Sequence, residues 1–183
     1  MPDHGGGKGV NLEAYFDRIA LPEAARRNRS AELDFLRQLI TLHSQSIAFE
    51  NLNTLMRLPV PLDLAALQAK LVGSPRGGFC FEQNGLFAAV LEAIGYRVRP
   101  LAARVVWGRS PGSSAENPRT HMVVLVDIAR QKYLCDVGFG GITPTAPLAL
   151  VSDTEQATPH EPFRLRALDD TWLLQVAVGG NWR

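Results

Sequence analysis

Residues 76–87 read Arg-Gly-Gly-Phe-Cys-Phe-Glu-Gln-Asn-Gly-Leu-Phe, a glycine turn running into a helix with Cys80 at its start. The helix stripe is Leu86, Phe87, Val90, Leu91 and Ile94; at helical spacing Cys80 and Gln83 fall on its side and Asn84 at its margin. A thiol at a helix N-terminus meets the positive end of the macrodipole, which favours the thiolate, the form that attacks carbonyl carbon. Gly77 and Gly78 allow a second molecule close to the backbone. Gln83 and Asn84 beside an apolar stripe predict a lined cavity rather than dry core. The competing expectation is an inert buried cysteine, a common fate for this residue type.

A base and an orienting group follow in sequence. His121 opens the strand-like run Thr-His-Met-Val-Val-Leu-Val and shares a face with Val123 and Leu125. A histidine there is more often a satisfied core or rim residue than a catalyst. Asp136 ends the next such run, Tyr-Leu-Cys-Asp-Val, before Gly138-Phe-Gly-Gly141. A carboxylate at a buried strand end is costly unless paired, and an imidazole would pair it. A hairpin around Ala129–Lys132 puts His121 and Asp136 on one face. The simplest registers set Asp136 opposite Val123 or Leu125, leaving roughly 7–13 Å along the strand to His121. A bulge or a slipped turn is expected to close that gap.

If the three side chains meet, His121 takes the Cys80 proton and returns it to a leaving group, and Asp136 fixes the imidazole tautomer. The backbone N–H groups of Phe79, Cys80 and Phe81 are the expected oxyanion donors. Such a cysteine carries an acyl group in a two-step, ping-pong reaction. A metal site built from Cys80, His121, Cys135 and Asp136 fits no zinc-ligand spacing, and Cys135 alternates with Asp136 on a strand, so it reads as ordinary core. No metal is expected.

The elements that must position these residues fall into two halves of an α+β chain. From Leu12 to Ile94 the pattern is helical. Ser30 is the expected cap of a helix through Ser44, with Phe35, Leu36, Leu39, Ile40 and Leu42 on its buried side, and a second helix is expected over Leu62–Val72. After Gly95, strands are expected at Tyr96–Trp107, Thr120–Ile128, Tyr133–Val137, Phe163–Leu168 and Trp172–Val178, with a polar loop, Gly-Arg-Ser-Pro-Gly-Ser-Ser-Ala-Glu-Asn-Pro-Arg, between the first two and a turn at Asp169-Asp170. The domain expectation is a helical bundle over 1–94 carrying the nucleophile and an antiparallel, barrel-like β-domain over 95–183 carrying the histidine and aspartate. A net charge of +1 with 20% charged residues gives no basic surface for nucleic acid or membrane, and no run approaches the ~18 apolar residues of a span. The opening Met-Pro-Asp-His-Gly-Gly-Gly lacks the apolar region of a secretory signal, and two cysteines without close spacing fit a reducing cytoplasm.

Several segments together resemble the arylamine N-acetyltransferase family. Arg76-Gly-Gly-Phe-Cys-Phe-Glu-Gln-Asn resembles its active-site segment, Thr120-His-Met and Asp136-Val-Gly-Phe-Gly its histidine and aspartate segments, and Leu12-Glu-Ala-Tyr-Phe-Asp-Arg-Ile and Ala48-Phe-Glu-Asn-Leu its earlier elements. The resemblance implies a Cys80–His121–Asp136 triad in a papain- and transglutaminase-like core. It implies acetyl-CoA as donor substrate, with no bound cofactor, and arylamines, arylhydrazines or N-hydroxyarylamines as acceptors, the chemistry of xenobiotic metabolism. It places Phe49, Phe139 and Val105 or Val106 in the acceptor pocket, and matches Glu50 and Arg76 to structural positions that pair. Gly138, Gly140 and Gly141 are the turn that would present N–H groups to the CoA pyrophosphate.

Family members continue into a third, α/β domain that closes over the cleft. Its absence here predicts looser substrate binding, impaired transfer, more acetyl-CoA hydrolysis, and self-association through the bared surface. A cysteine protease or transglutaminase-like enzyme keeps the same triad with another substrate, and an idle folded fragment keeps it without activity.

Overall fold

The computed structural model describes residues 9–108 and 118–183; the opening residues 1–8 and residues 109–117 of the polar loop lie outside the described residues. Among the described residues six α-helices come first: α1 Leu12–Arg18, α2 Glu23–Arg27, α3 Leu33–Ser46, α4 Leu52–Leu55, α5 Leu64–Leu67 and α6 Cys80–Ile94, with a π-helical turn, Gln68–Val72, continuing α5. Asn11 caps α1 by accepting from Ala14 N–H at 3.1 Å, and Asp63 caps α5 by accepting from Ala66 N–H at 3.0 Å. The start of α3 differs from the expected Ser30 cap. Tyr96 Oη donates to the carbonyls of Ser30 at 3.1 Å and Glu32 at 2.7 Å, which keeps this stretch extended and delays the helix to Leu33.

The described residues then form two four-stranded sheets, each antiparallel with its strands in chain order: β1 Arg97–Ala103, β2 His121–Ile128, β3 Gln131–Cys135 and β4 Leu148–Ala149; then β5 Glu155–Gln156, β6 Phe163–Leu168, β7 Thr171–Val178 and β8 Asn181–Trp182. The sheets are open, which corrects the barrel-like expectation. Closure needs a continuous staggered ladder, and β4, β5 and β8 hold only two residues each. The β2–β3 hairpin turns on Ala129 and Arg130, both at positive φ (50° and 70°), so that Ile128 pairs with Gln131.

Strand β2 is buried on both faces, and the alternation along it sorts its side chains. Val124 and Val126 join Cys135 and Val137 in a core shared with Tyr15, Phe16, Leu39, Phe87 and Leu91 of the helices. Val123 faces the second sheet and packs with Leu134, Leu148, Phe163, Leu165 and Val176. Helix α6 lies against β1 and β2, which brings its N-terminus to the end of the sheet where β2 begins and β3 ends. No helix among the described residues is long and apolar enough to cross a membrane.

Candidate active site

The turn before Cys80 is clamped by backbone and by charge. Gly78 N–H donates to Ala48 O at 3.2 Å and Glu50 N–H to Gly78 O at 3.0 Å, making a parallel bridge between Phe49 and Gly78. A side chain at Gly77 would collide with the Ala48 carbonyl, so these strands run this close only with glycine there. The expected Arg76–Glu50 pair is present: Arg76 Nε and Nη2 donate to Glu50 Oε1 at 3.0 and 2.7 Å, and Nη2 also reaches Asn53 Oδ1 at 2.8 Å. Burial works against the Glu50 charge, but the Leu52 N–H and the cations of Arg76 and Lys70 outweigh it and hold this carboxyl below the usual carboxylate range. Lys70 Nζ lies 2.7 Å from Glu82 Oε1, and Glu82 Oε2 accepts from Phe79 N–H at 3.1 Å, capping α6 from its own first turn.

Cys80, the first residue of α6, is 7% exposed, His121 6% and Asp136 2%. The Cys80 thiol donates to Thr120 O at 3.7 Å, and it lies close enough to His121 to raise the proton affinity of the imidazole. His121 Nε2 lies 2.6 Å from Asp136 Oδ2, so Nδ1 is the ring nitrogen left for the thiol. Burial would lower the affinity of His121 for a proton. The Asp136 carboxylate, which accepts from Nε2, and the nearby Cys80 outweigh it and push its pKa up to about 9. The Phe139 ring stands edge-on to the imidazole, with centroids 5.3 Å apart.

The expected bulge is absent. The β2–β3 ladder runs unbroken to Val124↔Cys135, which leaves Asp136 diagonal to His121 just past the last pair. Diagonal neighbours on one face are ~7–8 Å apart at the backbone, and an aspartate and an imidazole together span that distance.

The expected lined cavity at Gln83 and Asn84 is also absent, because both are fully buried and their polar atoms are spent on the protein. Gln83 Nε2 donates to Ile47 O and Ala48 O at 3.1 and 2.9 Å, while its Oε1 accepts from His43 Nε2 at 2.8 Å. That direction leaves His43 Nδ1 to accept from Tyr15 Oη at 3.0 Å. Asn84 Nδ2 donates to Met122 O and Asp136 Oδ1 at 2.8 and 2.9 Å, and Val137 N–H donates to Asn84 Oδ1 at 3.0 Å. Burial lowers the His43 pKa to about 4, so its imidazole is neutral. The Tyr15–His43 half of this network went unread, because a histidine three residues before the end of α3 has no local signature.

The remaining expected residues divide. Phe49 is 46% exposed and lines, with Ser44, Ile47, Val137, Gly140 and Gly141, a cavity of about 240 Å³ that also meets His160 and Glu161. Val106 is half-buried in the loop after β1, away from that lining. Gly138 N–H donates to Asp136 Oδ1 at 2.9 Å and Gly140 N–H to Thr143 Oγ1 at 3.0 Å, so two of the three glycine N–H groups expected to meet a pyrophosphate are engaged within the chain. Cys135 lies in the helix-side core, facing away from Asp136, and burial pushes its thiol pKa up.

Residues 32–183 match a protein family described as N-acetyltransferase. An arylamine N-acetyltransferase of Mycobacterium tuberculosis is 46% identical over 177 residues, which cover 95% of this chain and 61% of that protein. The solved structure of the arylamine N-acetyltransferase from M. tuberculosis matches at 47% identity with a TM-score of 0.87, covering 94% of this chain and 63% of that one. The structure of the Mycobacterium marinum arylamine N-acetyltransferase in complex with CoA matches at 46% identity, also with a TM-score of 0.87, covering 94% and 62%. The chain thus spans about three fifths of the length of these relatives.

Proposed function

Because the chain belongs to the arylamine N-acetyltransferase family, we propose that it moves an acetyl group from acetyl-CoA, through an acetyl-Cys80 thioester, to an arylamine, arylhydrazine or N-hydroxyarylamine. The observation that carries this reading is the convergence of Cys80, His121 and Asp136, with the imidazole 2.6 Å from the carboxylate and the thiol near enough to act on the imidazole, at the meeting of the helical half (1–94) and the β half (95–183). A helix-borne cysteine with a strand-borne histidine and carboxylate also fits a papain- and transglutaminase-like arrangement.

In the first half-reaction His121 already holds the Cys80 proton and the thiolate sulfur attacks the acetyl carbonyl carbon. The carbonyl oxygen takes the negative charge, and the C–S bond to CoA breaks as His121 returns the proton to the CoA sulfur. The amine then attacks the Cys80 thioester, His121 removes its extra proton, and the amide leaves as the Cys80 thiolate is restored beside the protonated imidazole. Asp136 stabilises the imidazolium in both halves without itself taking the proton. The oxyanion donors are the N–H groups of Cys80 and Phe81, which helix geometry leaves without partners in the first turn; that of Phe79 is committed to Glu82.

Phe49 and Phe139 form the acceptor side. Gly141 presents the N–H of the glycine turn that is open to the CoA pyrophosphate. With Phe49 46% exposed, water reaches this side, so hydrolysis of acetyl-Cys80 competes with transfer.

The test is release of free CoA from acetyl-CoA by the purified chain, with and without an aromatic amine, beside Cys80→Ala. Cys80-dependent release is expected, accelerated by the amine. Release no faster than the Cys80→Ala blank would overturn the proposal.

A further inference from the structure

Asn84 lies one helical turn after Cys80 on α6 and is 0% exposed. Its three contacts define its orientation: Met122 O and Asp136 Oδ1 accept from the amide nitrogen, and Val137 N–H can only donate to the amide oxygen. Each partner belongs to a different part of the site. Met122 follows His121 on β2, Asp136 is the carboxylate, and Val137 is the residue after it. A single side chain thereby ties the nucleophile's helix to both strands that carry the rest of the triad.

The contacts also divide the labour of the Asp136 carboxylate. Oδ1 accepts from Asn84 at 2.9 Å and from Gly138 N–H at 2.9 Å, and Oδ2 is turned to His121 at 2.6 Å. A carboxylate held by donors on one oxygen stays ionised in a buried place and presents the other oxygen in one direction. The ionisable groups around the imidazole are Asp136 from the end of β3 and Cys80 from α6; Glu82 on the same helix is paired to Lys70, and Cys135 faces the opposite core.

We propose that Asn84 is a positioning residue for the acyl-transfer chemistry proposed above: it aims Asp136 at His121 and sets the first turn of α6 against β2, so that the Cys80 thiol meets the imidazole. The assignment rests on Cys80 being the nucleophile. Leucine has the volume but neither donor nor acceptor, serine cannot span the distance, and aspartate would set a like charge beside Asp136.

The experiment compares Asn84→Leu and Asn84→Ser with the wild-type chain by two readings that need no acetyl-CoA. One is the NMR titration of His121, identified by the signal lost in His121→Gln, with a wild-type midpoint of about 9. The other is the rate of Cys80 alkylation by iodoacetamide at pH 7. Loss of the contact that aims Asp136 Oδ2 at the imidazole is expected to lower the proton affinity of His121 about tenfold and to slow alkylation by a similar factor. In an Asp136→Asn background, Asn84→Leu should not change the His121 titration further, because that route runs through the carboxylate, while Cys80 alkylation still slows through the lost Met122 contact. Far-UV circular dichroism reports folding, and if Asn84→Leu does not fold, Asn84→Ser carries the comparison. A wild-type His121 titration in folded Asn84→Ser, or shifts of that titration that add fully in the double variant, would overturn the assignment. Failure of the CoA-release assay alone would count against acetyl transfer and leave these readings standing.

Discussion

Asp136 stands diagonally across the β2–β3 ladder from His121, beyond its last pair, and its Oδ2 still lies 2.6 Å from His121 Nε2. A directly opposed pair would be held by the ladder itself. A diagonal pair at a frayed strand end depends on what stands behind the carboxylate, and here that is Asn84 and Gly138 N–H. Helix α6 supplies the thiol and also the donor that orients the carboxylate two partners away.

The raised pKa of His121 has a signed consequence for stability. Its folded value of about 9 lies above the ordinary 6.5, so its imidazolium contribution is fully present below about pH 6.5 and is lost as pH rises through about 9. Urea unfolding of the wild-type chain and His121→Gln at pH 6.5, 8 and 9.5 should show the wild-type advantage shrinking with pH. An advantage that is constant across this range would show that the imidazole is not held protonated.

His43 acts in the opposite sense. Burial lowers its folded pKa to about 4, so the unfolded chain takes up a proton between pH 6.5 and 4 that the folded chain refuses. Stability is therefore lost as pH falls through that window, by up to roughly 3 kcal/mol from this residue at 1.36 kcal/mol per pH unit. His43→Gln, which removes the titration, should flatten the acid slope of the unfolding free energy relative to wild type. Equal slopes would mean that His43 accepts its proton in the folded protein.

How far the site could be read from the sequence follows from what each residue touches. Cys80, His121 and Asp136 were legible because their chemistry lies in their own side chains and their segments resemble a known family. The partners of Gln83 and Asn84 are mostly backbone carbonyls of Ile47, Ala48 and Met122. Any residue type carries a carbonyl, so nothing in the sequence marks those positions, and two satisfied amides looked like the wall of a cavity. In the fold, Phe163–Leu168 shows a strand's composition over six residues, whereas β4, β5 and β8 are two residues long and have no period to detect. The open sheets were misjudged for the same reason, since short edge strands decide whether a sheet closes.

Gly138 is a packing requirement. A Cβ there would stand 2.9 Å from Cys80 Cα, 2.9 Å from Gln83 Cβ and 3.1 Å from Asn84 Nδ2, so Gly138→Ala must push the strand end away from α6. Overpacking of this kind costs about 1–3 kcal/mol, and here it also separates Cys80 from His121. The expected result is a lower urea midpoint together with slower Cys80 alkylation. Gly141→Ala, whose Cβ would meet nothing within 4 Å, should leave stability within about 0.5 kcal/mol of wild type. Equal stability for both variants would contradict the close approach at Gly138.

The Lys70–Glu82 pair tests whether charge or shape holds the turn before Cys80. Glu82 is 2% exposed and its Oε1 is 2.7 Å from Lys70 Nζ, while Oε2 caps Phe79 N–H. Glu82→Gln keeps an oxygen for that cap and removes the charge, leaving a largely buried ammonium with Glu50 Oε1 at 3.4 Å as its remaining anion. Breaking a buried pair from one side costs about 3–5 kcal/mol, and the second anion should hold the loss to about 3 kcal/mol or less. Removing both charges in Lys70→Met with Glu82→Gln should recover part of that loss, since no unpaired buried charge remains. Urea unfolding of the two single variants and the double variant measures the coupling. A double variant as unstable as the two single losses added together would mean that the pair has no mutual energy, and that the turn is held by the Arg76–Glu50 contact and backbone pairing alone.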